Sequence, residues 1–358
     1  MSESTNLPTT TSGARADLHD GYSDGFTPTA PLDLSQVNSV DDMLRAMSRT
    51  AFGARNLGEA ANVLEAMVRN PNCFVVCTVS GAMTVAKMGL VLCDMIDHGM
   101  VHAVISTGAL MAHGFVESTG RAHFKYQSEM DDKELYYKGY NRVYDTLELE
   151  KNLDDVEEIF NEVLGAVPDD EMLCSYKINR LLGAWLMKHA DGRGILRSAC
   201  EREVPVFVPA FSDSELGLDF ALLNRKRALV GKPWLQFNPF VDLEHYTQLA
   251  LDAKTLGIFT IGGGVPRNWG QQVGPFLEII EKRLGPGMGG AFKRFQYGVR
   301  LCPEPAHWGG LSGCTYSEGI SWGKFVPPSE GGRFAEVMCD ATIAWPLVVK
   351  AVEERIRG

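Results

Sequence analysis

The sequence predicts an α/β fold in which a doubly wound, mostly parallel sheet carries helices on both faces. Short apolar segments rich in β-branched residues alternate with helical segments along the chain. Small residues, including Ser-Gly, Thr-Gly and a triglycine, follow several of these strands, as is typical of turns from parallel strands into helices. No linker interrupts the alternation beyond the N-terminal region, so we expect a flexible tail over residues 1–35 and a single domain over residues 36–358.

The domain is predicted to begin with an N-terminal helical arm. The segment "SVDDMLRAMSRTAFGARNLGEAANVLEAMVRN" has helical spacing on both sides of a turn. A strand at "NCFVVCTVSGAM", a helix at "MTVAKMGLVLCDMIDHG" and a strand at "MVHAVISTGA" follow. This order is a βαβ unit, which implies parallel strands.

The same alternation continues to the C-terminus. Amphipathic helices are predicted at "LDDVEEIFNEVLGAV" and "EMLCSYKINRLLGAWLMKHA", followed by a strand at "VPVFVPAFSD". The helix "LEHYTQLALDAKTLG" then leads to the strands "IFTIGGGVP" and "FKRFQYGVRLC". A last strand in "FAEVMCDATIAWPLVVKAVEERI" ends before Asp340 and the final helix. Ligands of such sheets bind at the carboxyl ends of the strands.

Composition excludes several classes of function. The chain has 358 residues, of which 45% are hydrophobic and 22% charged, the balance of a soluble globular protein. No apolar run approaches the roughly 18 residues that span a bilayer, and the N-terminus lacks the apolar core of a signal peptide, so we expect a cytoplasmic protein without a membrane partner. A net charge of −11 argues against nucleic-acid binding and favours cationic ligands.

The cysteines and histidines give no metal-binding pattern. Eight cysteines are spread singly, without a CxxC pair, and mostly lie in apolar segments. We therefore interpret them as reduced core residues and expect no metal site.

One lysine stands in an unusual setting. In "GISWGKF", Lys324 follows Trp322 and a glycine and precedes an apolar flank. A surface lysine tolerates this setting, but a lysine in an apolar pocket has a lowered pKa, and its neutral amine attacks carbonyls and imines. The small-residue strand ends are open to two interpretations as well. They could hold a dinucleotide, but the sequence has no GxGxxG, and Asp213 and Asp340 could simply cap helices.

The order of these segments resembles that of deoxyhypusine synthase and its bacterial relatives over about residues 40–357. The resemblance rests on "MVHAVISTGA", "KELYYKGYNRVYD", "VPVFVPAFSDSELG", "IGGGVP", "GGLSGCTYSEGISWGKF" and "VMCDATIAWPLVV". It implies a Rossmann-like, NAD-dependent enzyme that forms a homotetramer with its sites at a dimer interface. It also implies that an aminobutyl-type group passes from a polyamine, such as spermidine, through a lysine imine to an amine acceptor.

The resemblance assigns roles to individual residues. Lys324 would be the imine-forming nucleophile, Trp322 would wall the pocket, and Glu318 would bind an amine. Trp322 could equally be an ordinary core residue. The residues that fall on NAD-contacting segments are Ser80, Thr84, Thr107, Asp213, Gly262, Gly263, Gly264, Ser312, Asp340 and Ala341.

Several positions depart from the synthase pattern. Asn268 and Trp269 stand where that pattern has two histidines, the first of which serves proton transfer. Leu218 and Leu311 replace carboxylates, although Asp219 is adjacent to the first. Ala112 and His113 replace paired glutamates. We assign Asn268, Asp219 and His113 to the substrate site, with His113 either a replacement base or a structural histidine.

These departures favour a small amine, as in homospermidine synthases, over a protein lysine as the acceptor. A true deoxyhypusine synthase that modifies a translation factor is the alternative within the same class. An NAD-binding regulatory module that has lost catalysis is the alternative from another class.

Overall fold

The structure, a computed structural model, describes residues 18–357 and is built around a six-stranded sheet with the order β11-β10-β9-β1-β2-β7. The strands are β1 (Cys73–Val79), β2 (Ala103–Ser106), β3 (Phe124–Lys125), β4 (Tyr140–Val143), β5 (Thr146–Leu149), β6 (Met172–Leu173), β7 (Val206–Phe207), β8 (Gln236–Phe237), β9 (Thr255–Ile261), β10 (Phe295–Leu301) and β11 (Arg333–Val337). Each pair of neighbouring strands in the central sheet is parallel, which confirms the predicted fold class.

Fourteen helices follow one another between and around these strands in the described part of the chain. They are α1 (Val40–Ser48), α2 (Phe52–Arg69), α3 (Gly89–Asp97), α4 (Gly108–Ser118), α5 (Asp132–Tyr137), α6 (Glu150–Gly165), α7 (Ser175–His189), α8 (Ile195–Glu201), α9 (Glu215–Leu229), α10 (Pro239–Asp252), α11 (Gly264–Gln271), α12 (Val273–Leu284), α13 (Tyr316–Ser321) and α14 (Ala341–Arg357). Several begin at a side-chain cap, since the hydroxyls of Thr107, Ser214 and Thr315 accept backbone N–H groups of α4, α9 and α13.

Strand alternation divides the helices into two layers. Val75, Cys77 and Val79 of β1 join a core cluster with apolar residues of α2, α4, α9 and α14. Val76, between them, belongs to a second cluster with residues of α10, α12 and α13. Because both faces of the central strands are covered, their sequences are continuous apolar runs.

A small antiparallel sheet with the order β3-β5-β4 lies outside the central sheet and has no counterpart in our sequence-based prediction. Its strands are short, and β3 and most of β4 are exposed. Its middle strand, β5, carries Glu148, which is buried.

The predicted N-terminal helical arm corresponds to α1 and α2, which pack on the C-terminal helix. The buried side chain of Arg355 in α14 lies within hydrogen-bond distance of Asp41 (2.5 Å), Asn62 (2.9 Å) and Glu65 (3.0 Å). Of the predicted tail, residues 1–17 lie outside the described residues.

The cysteines and the helices bear on two expectations from composition. All eight cysteines are free, and five of them are buried. Among the helices of residues 18–357, none has the length and apolar character needed to cross a membrane.

Candidate functional site

Lys324 lies in a short extended segment that follows α13 and pairs with the start of β10 through the neighbouring residue Phe325. Trp322 ends α13, and Gly323, with φ of +70°, turns the chain. The Lys324 backbone N–H then donates to Gly319 (3.1 Å), while its carbonyl accepts from the N–H of Phe295 (2.9 Å). These bonds fix the backbone on both sides of the lysine, so its side chain has a defined origin.

The segment is anchored by an aromatic cluster. Phe325, which follows the lysine, is fully buried and packs against Phe295, Tyr316 and Phe334, with ring centroids 4.8–5.8 Å apart. Burial of such side chains stabilises the fold by about 2 kcal/mol each. The apolar residues around "GISWGKF" therefore hold Lys324 against the sheet.

The ammonium of Lys324 is buried beside an amide. The residue is 9% exposed, and its Nζ donates to Oδ1 of Asn268 in α11 at 3.0 Å. Burial lowers the pKa of Lys324; of the smaller charge effects, Cys314 and Glu318 oppose this change and Arg267 adds to it. The site thus shifts the lysine toward the neutral amine that nucleophilic chemistry requires, which supports the pocket interpretation of this motif over the surface one.

Replacing Asn268 with aspartate should make Lys324 less reactive. A carboxylate 3.0 Å from Nζ would stabilise the ammonium and raise the lysine pKa. At about pH 8 we expect reductive methylation of Lys324 by formaldehyde and cyanoborohydride to be about 10-fold slower in Asn268→Asp, the effect of a shift of about one pH unit. Peptide mass spectrometry follows the reaction, and the other lysines serve as internal controls. Equal rates in both proteins would contradict this account of the pocket.

Two other residues assigned to this site lie nearby but are exposed. Glu318 is in the first turn of α13, where its N–H is capped by Thr315 (3.1 Å), and it influences Lys324 through its charge. Trp322 is 64% exposed, so it is not the ordinary core residue that we considered as an alternative. It borders a groove of about 800 Å³ together with Ile279, Phe292 and Ile320.

The residues assigned to NAD gather at the carboxyl edge of the sheet. Backbone bonds join the neighbouring strand ends: Ser80 N–H donates to Ile261 (3.1 Å), and Gly262 N–H donates to Leu301 (2.9 Å). The Ser80 hydroxyl also accepts from the N–H of Gly263 at 3.0 Å. We call this edge, defined by Ser80, Thr107, Asp213, Gly262–Gly264, Ser312, Asp340 and Ala341, the rim.

The rim has the features that a dinucleotide requires. Helices α4, α9, α11 and α14 all begin there, so the positive ends of their dipoles face one edge. At Gly263 an added Cβ would lie 2.4 Å from Cα of Ser312, so only glycine allows this approach. Gly264 has φ of +61° and open space where a side chain would stand, which leaves backbone N–H groups accessible at the start of α11. These residues fit a bound NAD.

Thr84 has a different position from the other residues assigned to NAD. It is 1% exposed, and its hydroxyl donates to the carbonyl of Leu110 at 2.9 Å. Its side chain therefore supports the loop between β1 and α3 and does not face the rim.

His113 and Asp219 are not brought together with Lys324 within one chain. They lie on α4 and α9, in the layer of helices opposite the one that contains α11 and α13. His113 contacts the buried carboxylate of Glu148 (3.2 Å). Asp219 is 5% exposed, whereas the neighbouring Leu218 is 59% exposed. Successive helical residues point about 100° apart, so Asp219 does not occupy the position of Leu218 as we had considered.

Sequence reasoning missed the partners of these residues. The sequence did not indicate the groups that surround these two residues. They are Arg267 and Cys314 beside Lys324, and Glu148 and His123 beside His113. Each partner lies on a different element from the residue it contacts, and Asn268 is 56 positions from Lys324. Spacing along the chain therefore carries no signal for them.

Comparisons with known proteins agree with the resemblance. The family model described as "DS: Deoxyhypusine synthase" matches residues 42–352. The chain is 34% identical over 337 residues to "Probable deoxyhypusine synthase 2" of Methanosarcina mazei, covering 93% of this chain and 91% of that protein. It is 32% identical to "Deoxyhypusine synthase-like protein" of Chlorobaculum parvum, covering 87% and 85% of the two chains. A crystal structure described provisionally as a deoxyhypusine synthase of Entamoeba histolytica shares the fold, with a TM-score of 0.56, 12% identity and coverage of 89% and 94%.

Proposed function

Because the chain belongs to the deoxyhypusine synthase family, we propose that it is an NAD-dependent transferase that moves an aminobutyl-type group from a polyamine to an amine acceptor. The acceptor in this proposal is a small amine, and the group is carried as an imine on Lys324. The observation that carries the proposal is the buried Lys324 amine beside Asn268, with its lowered pKa.

In this proposal the lysine pocket carries the transferred group, and the rim binds NAD. Lys324 provides the neutral nitrogen that bonds to the donor's carbon, and burial excludes the water that would hydrolyse the imine. Asn268 orients the lysine through its Oδ1. Glu318 and Trp322 stand at the exposed side, where a carboxylate and an aromatic face can hold an ammonium. The rim would hold NAD, and the chemistry supplied there would be removal of a hydride from the donor amine and its return to the imine formed with the acceptor.

Asp340 would hold a ribose hydroxyl of NAD, and the structure allows this role to be separated from helix capping. Its Oδ1 accepts from both the N–H (2.7 Å) and the hydroxyl (2.6 Å) of Thr342, so Oδ2 remains for a ligand. Asparagine preserves the cap but not the charge.

For Asp340→Asn we expect NAD binding to weaken by about 1–3 kcal/mol, the scale of a charged hydrogen bond, with an unchanged melting temperature. Calorimetry and thermal unfolding measure the two quantities. Asp340→Ala, which removes both functions, should lower the melting temperature as well. Unchanged NAD affinity in both variants would remove Asp340 from the site.

The identity of the amines is the finer part of the proposal. Leu218 and Leu311 are 59% and 54% exposed and cannot pair with an ammonium. The donor should therefore be shorter, less charged or differently positioned than spermidine. Spermidine, putrescine, agmatine and a translation-factor lysine should be tested separately with NAD, followed by borohydride trapping and mass spectrometry. Efficient modification of the protein lysine without turnover of small acceptors would favour a true deoxyhypusine synthase.

The same trapping experiment tests the alternative that the chain is a regulatory module that has lost catalysis. A regulatory module would bind NAD but give no adduct with any amine. The retained lysine pocket supports the enzyme over the module, because burying an amine without a function carries a desolvation cost.

The predicted homotetramer, with sites at a dimer interface, belongs to the same proposal. Trp322 is exposed beside the lysine pocket, and His113 and Asp219 lie in the opposite helix layer. A second subunit could bring the two groups together. Sedimentation analysis tests the oligomeric state.

A further inference from the structure

A buried carboxylate joins two histidines on the α4 side of the sheet. Glu148 in β5 has no exposed side-chain surface. Its Oε1 accepts from Nδ2 of Asn152 (2.9 Å) and from the N–H of Leu149 (3.0 Å). Its Oε2 lies 3.2 Å from Nδ1 of His113 and 2.5 Å from Nε2 of His123. Both oxygens are thus fixed in position by neighbouring nitrogens.

These contacts define where the protons lie. Burial alone would raise the pKa of Glu148, but the contacts with His113, His123 and Asn152 outweigh it and hold the pKa far below its usual range. Glu148 is therefore an anion, and the ring nitrogens that face it carry protons. With Nδ1 protonated, a neutral His113 has its free electron pair on Nε2.

A lysine sets the proton of His123 independently. Lys87 Nζ lies 2.8 Å from Nδ1 of His123 and 3.1 Å from Glu117. An ammonium can only donate, so Nδ1 of His123 accepts and Nε2 carries the proton toward Glu148.

Two imidazoles and a carboxylate are also a common metal-ligand set, and here the three donor atoms lie within 4.8 Å of one another. A metal on His123 would need the unprotonated Nε2 that Lys87 disfavours. The contact with Lys87 therefore argues against a metal on His123, whose Nε2 lies close to Glu148 but forms no hydrogen bond with it.

The free nitrogen of His113 is accessible near the rim. Helix α4 starts at the rim, and an added Cβ at Gly108 would lie 2.2 Å from Cβ of Ser214, so the first turns of α4 and α9 are in contact. The His113 side chain is 18% exposed, and its only hydrogen bond among residues 18–357 is made through Nδ1. The ring is close enough to Glu215, the first residue of α9, to influence its charge.

The surroundings of Glu215 suit a cation. Burial, followed by the charges of Glu150 and Asp154 of α6, raises the pKa of Glu215. An ammonium placed there would relieve the repulsion among these carboxylates.

We propose that His113 is the base that takes a proton from an amine bound at the open side of its ring, and that Glu148 is a positioning residue that holds His113 with Nε2 free. The inference rests on the proposed function, which supplies the amine. In this step an N–H bond of the ammonium breaks and a bond from that proton to Nε2 forms. The electron pair stays on the amine nitrogen, which becomes ready for oxidation. Glu148 stabilises the imidazolium that results.

The first experiment reads the histidine protons without any reaction. Protein labelled with ¹⁵N-histidine, which has only eight such residues, is followed by NMR across pH. We expect neutral His113 as the Nδ1–H tautomer and neutral His123 as the Nε2–H tautomer. In Glu148→Gln, His113 should lose this preference, whereas the exposed control Glu129→Gln should not change it. A His113 that carries its proton on Nε2 in the wild-type protein would overturn the proposal.

Adding zinc to the same NMR samples tests the alternative that the cluster of His113, His123 and Glu148 is a metal site. One equivalent of Zn²⁺ should leave the resonances of His113 and His123 unchanged. If both shift together at stoichiometric zinc, the cluster is a metal site and the proposal is wrong.

The second experiment measures the proton step through amine-dependent reduction of NAD. His113→Ala should slow it by about 10²–10⁴-fold, and added imidazole should restore part of the rate, which a purely structural role would not allow. Glu148→Gln should slow it as well, because the ring of His113 loses the carboxylate that orients it. His189→Gln, on an exposed helix end, serves as the matched control.

The outcomes distinguish this inference from the proposed function. If the wild-type protein reduces no NAD with any amine, the proposed function fails, and the NMR result alone then decides whether Glu148 orients His113. If the wild-type protein is active and His113→Ala retains its full rate, the proposed function stands and His113 is not the base.

Discussion

Lys324→Arg is expected to abolish covalent capture of the donor. In the wild-type protein, NAD and a suitable amine followed by borohydride should leave an adduct on the peptide that contains "GISWGKF". Arginine keeps the positive charge, but its guanidinium stays protonated and forms no imine. We expect the adduct to disappear and turnover to fall by at least ~10³-fold, the scale for loss of a covalent nucleophile.

The matched control is Lys350→Arg on α14, where the lysine is exposed and contacts Glu353 at 3.2 Å. It should retain both the adduct and the turnover. NAD affinity should be unchanged in both variants, because neither lysine lies on the rim. An undiminished adduct in Lys324→Arg would mean that another residue carries the intermediate.

The fold could be predicted because its signals are local. Strands that are buried on both faces appear in the sequence as continuous apolar runs such as "CFVVCTV", and in the helices between them the apolar residues recur with the helical period. The sheet β3-β5-β4 could not be predicted in this way. Its strands have two to four residues, and Tyr140–Val143 are largely exposed, so no alternation marks them.

The site was predictable only where a motif identifies it. The "SWGK" context singled out Lys324, and the structure adds the cause of its lowered pKa, namely burial. The amide partner Asn268 comes from another helix, and only the tertiary fold brings it to 3.0 Å. At Leu218 and Asp219, adjacency in sequence was misleading, because one helical step separates an exposed side chain from a buried one.

The second large expected effect is on stability and arises from the buried carboxyl of Asp219. Asp219→Asn should raise the free energy of unfolding at about pH 8 and change it little at about pH 4. One carboxylate oxygen of Asp219 is buried without a hydrogen-bond partner among the described residues. Burial, followed by the charges of Glu215 and Glu157, raises the pKa of Asp219 from 3.8 to about 7. Above that value the folded protein holds a buried charge with no partner.

The direction of the pH effect follows from proton binding. Between about pH 4, where the unfolded chain loses this proton, and about pH 7, where the folded protein loses it, the folded state binds more protons. Stability therefore declines as pH rises through this window and is lowest above it. At ~1.4 kcal/mol for each pH unit, the full penalty is on the order of 4 kcal/mol. Asparagine has the same shape and stays neutral, so it should escape this penalty.

Urea unfolding at a fixed protein concentration, repeated from about pH 4 to about pH 8, measures the difference between the two proteins. Asp170→Asn, at an exposed position, is the control and should follow the wild-type curve. If the wild-type and Asp219→Asn curves stay parallel across the window, Asp219 titrates alike in the folded and unfolded states. The carboxyl would then have to be solvated or paired in the folded protein, for example by a cation between α6 and α9. A difference in unfolding free energy that widens with pH and shrinks when a polyamine is added would instead show that Asp219 both destabilises the folded protein and binds the amine. A bound ammonium would remove the cost of the buried charge.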